Sequence, residues 1–214
     1  MNYALIKVCG MRDAENIREV EALGIDLMGF IFWPKSSRYL SECPTYLPTK
    51  CKRVGVFVDE DIETVRRITN TNALDFIQLH GKESPEYIQR LGEWKVIKAF
   101  NIATPDDLSQ TKPYEGLVDY FLFDAKGKSV GGNGEKFDWS VLSAYDGSTP
   151  FLLSGGIGPD DAERVNVFSH PKCIGIDLNS RFEIAPGLKD TNAINNFIKK
   201  LNTKSQRHKG LRTE

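Results

Sequence analysis

Eight short runs rich in β-branched and aromatic residues recur along the chain, and polar punctuation followed by an amphipathic stretch separates most of them. The runs are 5–9, 27–31, 53–58, 76–79, 95–100, 120–123, 151–154 and 174–178. Strands that alternate with helices pair in parallel through crossover connections. Eight such units close into an α/β fold of one kind, a parallel eight-stranded (β/α)₈ (TIM) barrel, and the 214 residues sit near the short end of the roughly 200–250 such a barrel uses. An open doubly wound sheet is the alternative that the same rhythm allows.

Helical periodicity is clearest over 13–23, where Ile17, Val20 and Leu23 fall on one face. It recurs over 61–69, 84–91, 139–145, 160–168 and 190–201, with Ser84 before Pro85 and Pro159 before Asp160 as start signals. The stretches after the second and fifth runs, 41–47 and 106–110, are weak helices at best. No Ser/Pro-rich linker interrupts the pattern, so one barrel domain over 1–202 is expected. It is followed by a polar, basic tail, 203–214, carrying Lys204, Arg207, His208, Lys209 and Arg212; such a tail reads as a frayed, solvated arm.

The balance of 28 Lys+Arg against 29 Asp+Glu gives a net charge of −1, which leaves no basic field for nucleic acid. No apolar run approaches the roughly 18 residues of a membrane span. Lys7, Arg12 and Asp13 break the early apolar stretch, so a secretory leader is not expected and the cytoplasm is. Cys9, Cys43, Cys51 and Cys173 form no C-x-x-C pair and have no ligand spacing with His80, His170 or His208, so neither a disulfide framework nor a metal site is expected.

In a parallel barrel the chemistry belongs at the C-terminal ends of the strands. Side chains alternate, so Leu5, Lys7 and Cys9 share a face of the first strand, Gln78 and His80 of the fourth, Tyr120, Leu122 and Asp124 of the sixth, and Gly175 and Asp177 of the eighth. A thiol and a carboxyl on opposite walls of one pocket supply a base and an acid, which makes Cys9 and Asp124 the first pair to consider. By themselves a buried core cysteine and a loop-capping aspartate explain them as well. The run Ser154-Gly155-Gly156-Ile157, ahead of a helix opening near Pro159–Asp160, leaves amides for a phosphate, and Asn179-Ser180-Arg181 after the eighth strand completes such a site; a plain turn is the alternative. Arg38, on the loop after the second strand, has the planar fork that suits a carboxylate, although a lone arginine there is more often a solvated charge. His80 lines the pocket or serves as a structural histidine. Lys98 fits a buried ion pair as well as it fits catalysis.

Several of these motifs stand together in one family. Lys7-Val8-Cys9-Gly10-Met11, Gly29-Phe30-Ile31-Phe32 with Pro34-Lys35-Ser36-Ser37-Arg38-Tyr39, Val54-Gly55-Val56-Phe57-Val58 and Gln78-Leu79-His80-Gly81 resemble the phosphoribosylanthranilate isomerases of tryptophan biosynthesis. Phe123-Asp124, Gly131-Gly132-Asn133-Gly134 with Phe137-Asp138-Trp139, Leu153-Ser154-Gly155-Gly156-Ile157 and Pro186-Gly187-Leu188-Lys189-Asp190 continue the resemblance in the family's order to about Leu201.

The resemblance implies a single barrel that performs an Amadori rearrangement of N-(5-phosphoribosyl)anthranilate to 1-(o-carboxyphenylamino)-1-deoxyribulose 5-phosphate, without a cofactor. It implies Asp124 as the general acid on the ring oxygen and Cys9 as the general base at C2′. Arg38 would meet the anthranilate carboxylate and Gly155, Gly156, Asn179 and Ser180 the phosphate, with His80 and Asp177 also contacting substrate. Residues 125–134 would form a glycine-rich lid, and a monomer is the default state. The chain departs from the family where Arg181 replaces a glycine in the loop after the eighth strand, which puts the backbone geometry there in question. A histidine-pathway sugar isomerase, a pentose-phosphate epimerase and a barrel that binds a phosphometabolite without turning it over are the competing readings. Cys9 in its Lys-Val-Cys-Gly setting and the single glycine-pair phosphate site argue against the first, whose substrate carries two phosphates. The want of metal ligands at the strand ends argues against the second, and Cys9 together with Asp124 argues against the third.

Overall fold

The computed structural model describes residues 5–125 and 138–209. The lid expected over 125–134 and the glycine block 131–134 therefore lie, but for Ala125, outside the described residues. Eight strands, β1 (Leu5–Val8), β2 (Leu27–Ile31), β3 (Lys52–Phe57), β4 (Phe76–Leu79), β5 (Lys95–Ile102), β6 (Tyr120–Ala125), β7 (Phe151–Ser154) and β8 (Cys173–Leu178), pair in parallel in sequential order and close into a barrel. Closure comes from β1 against β8, with Leu5 opposite Gly175 and Lys7 opposite Asp177. Gly175 is needed there, because a β-carbon would stand 2.3 Å from the Leu5 carbonyl oxygen. The open doubly wound sheet is thereby excluded.

Among the described residues, five α-helices pack outside: α1 (Ala14–Glu21), α2 (Ile62–Thr71), α3 (Pro85–Leu91), α4 (Ala162–Val167) and α5 (Thr191–Lys209). Asp13, Asp61 and Ser84 cap the first three through their side chains, Ser84 as its start signal requires. Three crossovers differ from the α-helical pattern. The segment after β2 contains no helix, while 105–114 and 139–144 are 3₁₀ turns. The helix expected over 139–145 is thus a six-residue 3₁₀ segment, Trp139–Ala144. It ends where the Tyr145 hydroxyl is drawn to Glu115 (2.7 Å) and to the Thr149 carbonyl (2.8 Å). At the other end of the chain α5 continues past Leu201 to Lys209, so helical backbone extends into the segment expected as a tail.

Within the barrel, Leu5, Leu27, Val54, Phe76, Ile97, Leu122 and Leu152 form one apolar cluster. A larger cluster, including Met28, Phe30, Phe57, Phe121, Phe123 and Phe151, fills the space between strands and helices. This in–out alternation is the two-residue period of a strand. A short antiparallel hairpin follows β8: β9 (Glu183–Ala185) and β10 (Leu188–Lys189). Gly187, with φ +82°, takes the left-handed position of its Pro186-Gly187 turn.

Candidate active site

The barrel interior changes character from bottom to top. On β6, Tyr120 and Leu122 belong to the inner apolar cluster, whereas Asp124, the next inward residue, lines an open cavity. Cys9, Gln78, His80, Ser154 and Asp177 make the same transition at the ends of β1, β4, β7 and β8. The cavity has a volume of about 190 Å³ and lies at the C-terminal rim of the strands. Gly155, Gly156, Asn179 and Ser180 also line it, so every residue expected at the site is brought together except Arg38.

Cys9 follows β1 directly, its amide donating to the Leu178 carbonyl at 2.9 Å. The next residue, Gly10, turns the chain in the left-handed region at φ +79°. Lys7, one inward step below Cys9, is fully buried and pairs with Asp177 at 2.8 Å. Asp177 also accepts from the Ser154 hydroxyl at 3.1 Å. Burial opposes the Lys7 ammonium, but Asp177 and the Cys9 sulfur more than offset it and hold its pKa above the ordinary lysine value. Burial pushes the Cys9 thiol up; Lys7 and Lys189 pull it back and Asp177 adds to the rise, leaving the net direction upward. Cys9 is therefore a thiol that needs a neighbouring cation to ionise.

Across the cavity, the His80 Nε2 stands 3.7 Å from Asp124 Oδ2. The His80 Nδ1 faces Gln78 Nε2 at 3.3 Å. The Gln78 Oε1 is buried and meets no donor among the described residues.

At the β7–β8 side, Gly155 and Gly156 both take positive φ, +89° and +69°. Among the described residues their amides, and that of Ser180, donate to no protein acceptor. Backbone amides left open in a turn form a concavity that suits an anion. The helix that the sequence places behind this cradle is shorter and later than expected. It begins at Ala162, and the Asp161 carboxylate already accepts from the Gly158 amide at 2.8 Å, so its dipole adds little to the cradle. The doubt over Arg181 resolves simply: it sits in a 3₁₀ turn, Ser180–Phe182, and the described non-glycine residues with positive φ are Asp59 and Ala73. Its side chain lies against Gly158, where a β-carbon would be 3.1 Å from its Cδ, and it lines the cavity. Phe182, edge-on to Phe197 of α5 at 5.2 Å, anchors this turn.

Arg38 stands behind Gly10 rather than on the cavity wall; a β-carbon on Gly10 would meet its Cδ at 2.7 Å. Its guanidinium is held by Glu183, with Nε 2.8 Å from Oε1 and Nη2 2.6 Å from Oε2. The bond to Glu183 raises the Arg38 pKa still further above its ordinary value. Lys98, for which the sequence left two readings, is buried against Glu83 at 3.1 Å and the Gly81 carbonyl at 2.7 Å, away from the cavity lining. The sequence placed Lys7 and Gln78 on the inward faces of their strands and Ser154 in the phosphate run, but gave none of these side chains a role of its own. Glu183 and Lys189 had no such signal, because a separate hairpin carries them. Among the described residues, no group of three or more His, Cys, Asp or Glu side chains is placed to hold a metal, and no helix is long and apolar enough to cross a membrane.

Comparison with known proteins agrees with this geometry. Residues 6–200 match the family model described as N-(5′-phosphoribosyl)anthranilate (PRA) isomerase. A protein of that name from Parabacteroides distasonis is 52% identical over 206 residues, covering 92% of this chain and 93% of its own. Its counterpart from Phocaeicola vulgatus is 50% identical over 204 residues, covering 94% of this chain and 100% of its own. Among solved structures, the Thermotoga maritima phosphoribosyl anthranilate isomerase superposes with a TM-score of 0.80 at 32% identity, covering 94% of this chain and 99% of that one. A phosphoribosyl anthranilate isomerase solved with reduced 1-(o-carboxyphenylamino)-1-deoxyribulose 5-phosphate superposes at 0.78, with 31% identity and the same coverage. With the family model spanning nearly all of the barrel, and relatives at half identity over almost their whole length, the chain belongs to the N-(5′-phosphoribosyl)anthranilate isomerase family.

Proposed function

We propose that this chain isomerises N-(5-phosphoribosyl)anthranilate to 1-(o-carboxyphenylamino)-1-deoxyribulose 5-phosphate, with Asp124 as general acid and Cys9 as general base. The carrying observation is that a thiol from β1 and a carboxyl from β6 line one cavity beside a glycine cradle for a phosphate. Asp124 gives a proton to the furanose ring oxygen as the C1′–O bond breaks and the anthranilate nitrogen forms a C=N bond. The Cys9 thiolate then takes the C2′ proton, and the released pair forms the C1′=C2′ bond while the nitrogen regains its lone pair. The enolamine so formed tautomerises to the ketone. Because the iminium nitrogen is the electron sink, the steps need no cofactor.

The remaining residues have supporting parts. Lys7 supplies the positive charge against which Cys9 ionises inside the barrel. Gly155, Gly156 and Ser180 offer the substrate phosphate amides that meet no acceptor among the described residues, and Arg181 adds a cation. Gln78 Oε1, an acceptor that costs about 1–3 kcal/mol when buried unmet, is satisfied by a ribose hydroxyl. His80 sits within reach of Asp124, and Asp177 closes the Lys7 pair; both face the sugar. Arg38 receives the anthranilate carboxylate. All four cysteines are free thiols, which supports the cytoplasm as its compartment. The barrel closes on its own strands, β1 against β8, which supports a monomer as the working unit.

Loss of phosphoribosylanthranilate fluorescence in metal-free buffer, with the substrate generated in situ, tests the proposal. Parent turnover with a fall of about 10²-fold or more in both Cys9→Ser and Asp124→Asn is expected. A well-folded parent without turnover overturns the reaction; turnover that survives both substitutions overturns the acid–base assignment.

A further inference from the structure

Glu183 is the most heavily engaged carboxylate near the cavity. Its Oε1 accepts from Arg38 Nε at 2.8 Å, from Lys189 Nζ at 2.6 Å and from the Gly187 amide at 3.0 Å. Its Oε2 accepts from Arg38 Nη2 at 2.6 Å and from Nε at 3.0 Å. Lys189 is itself buried and reaches Asn179 Oδ1 at 2.8 Å, on the cavity wall. The hairpin that carries Glu183 and Lys189 is fixed independently of these charges. Asn16 of α1 brackets the Lys189 backbone, accepting from its amide at 2.8 Å and donating to its carbonyl at 2.9 Å. Arg12 ties the loop and the hairpin together, donating to the Ser37 carbonyl at 3.3 Å and the Pro186 carbonyl at 2.9 Å.

Glu183 takes Arg38 by one edge only. A guanidinium has five N–H donors, and this side-on grip uses Nε and one hydrogen of Nη2. The end-on edge, formed by Nη1 and the other Nη2 hydrogen, meets no acceptor among the described residues. That edge is the fork that matches a carboxylate bidentately. The charges add up in the same sense: Arg38 and Lys189 against Glu183 leave one positive charge, the complement of one carboxylate.

We propose that Glu183 is a positioning residue, which grips Arg38 side-on so that the outer fork is presented to the substrate's aromatic carboxylate, while Lys189 holds Glu183 in place. The inference rests on the reading of Arg38 given above, and it makes Glu183 a determinant of selectivity for an aniline partner that bears a carboxylate. Glu183 touches no reacting atom, so its effect falls on binding rather than on the chemical step. Because Arg12 and Asn16 hold the loop and hairpin, Glu183→Gln unpins the guanidinium without undoing the fold.

The test compares kcat and KM for the parent, Arg38→Met, Glu183→Gln and the double variant, with inorganic phosphate as a competitive probe of the cradle. Glu183→Gln is expected to raise KM about tenfold with kcat little changed. Arg38→Met is expected to raise it at least as much, the double variant no further than Arg38→Met, and the phosphate inhibition constant to stay the same throughout. If Arg38→Met leaves KM unchanged, the role of Arg38 falls and the positioning role with it. If Arg38→Met raises KM while Glu183→Gln does not, the positioning role alone is overturned. A phosphate constant that moves with KM in Glu183→Gln also overturns it, since that marks a general loosening. Should Glu183→Gln fail to fold, Arg38→Lys decides: lysine keeps the charge but has no fork, so a KM equal to the parent's is the overturning result.

Discussion

Gly29 of β2 lies so close to Cys9 that a β-carbon at position 29 would stand 2.6 Å from the Cys9 Sγ and 3.1 Å from its Cα. The sulfur occupies the space that any other residue would need. Gly29→Ala therefore shifts the proposed base before it disturbs anything else. Overpacking of this kind costs about 1–3 kcal/mol, and misplacing a base by a fraction of an ångström costs more in rate than in stability. The expected result is a folded protein whose kcat falls by about tenfold or more. Circular dichroism and steady-state kinetics on the same sample check it. Parent-like kcat in a folded Gly29→Ala protein would remove the steric argument.

The Cys9 thiol sits above its ordinary value of 9.0 because burial outweighs its cationic neighbours. Alkylation proceeds through the thiolate, so the rate at Cys9 should climb about tenfold per pH unit through neutrality and reach its midpoint above pH 9. The neighbours shift that midpoint in opposite directions. Lys7→Met deletes a charge that favours the thiolate and raises it; Asp177→Asn deletes one that disfavours the thiolate and lowers it. Iodoacetamide labelling followed by peptide mass spectrometry separates Cys9 from the exposed Cys43. Shifts of the same sign in the two variants contradict the electrostatics described.

Strand positions were legible in the sequence because the period of two shows itself over four or five residues, as in Tyr120, Leu122 and Asp124. Capped helices such as α3, with Ser84 and Pro85, were legible for a similar reason. The hairpin after β8 was not, since strands of three and two residues carry no period. Nor was the Arg38–Glu183 grip, which joins loops 145 residues apart in sequence. The sequence offered Arg38 as a solvated charge or, by the resemblance, as a fork for a carboxylate, and gave no sign that one edge of it was already held. At Arg181 the sequence left the backbone in question, because the resemblance places a glycine there; the loop folds as a 3₁₀ turn that needs no positive φ.

The segment after β2 has no helix to hold it, and Glu21 does that work. Its carboxylate accepts from the Tyr46 hydroxyl and from the amides of Thr49 and Lys50. Burial raises the Glu21 pKa, but these donors bring it below the ordinary value of 4.5. A depressed folded-state pKa contributes stability above the unfolded value and loses it as pH falls through the folded one. Glu21→Gln should thus cost about 1–3 kcal/mol at pH 7, with the gap to the parent closing as the pH falls below the ordinary value of 4.5. Urea unfolding at both pH values measures this, and a gap of constant size would contradict the assignment.

Lys98 and Glu83 form a pair, each side chain about 2% exposed or less, that secures the loop carrying His80. Glu83 Oε1 accepts from the Asp59 amide at 2.9 Å and the Gly81 amide at 3.2 Å, and the Lys98 ammonium donates to the Gly81 carbonyl at 2.7 Å. Burial lowers the Lys98 pKa despite the partner, which shows how much the isolated charge would suffer there. Removing one partner leaves the other uncompensated, so Lys98→Met should cost about 3–5 kcal/mol. Adding Glu83→Gln to it removes the orphaned charge, and the double variant should recover part of the loss. A catalytic lysine would behave otherwise: its replacement would abolish turnover, and a second substitution at Glu83 would not restore it. Thermal unfolding and kcat of the two variants separate these cases. Since Lys98 lies away from the cavity lining, kcat per folded molecule is expected to remain within a few-fold of the parent in the double variant.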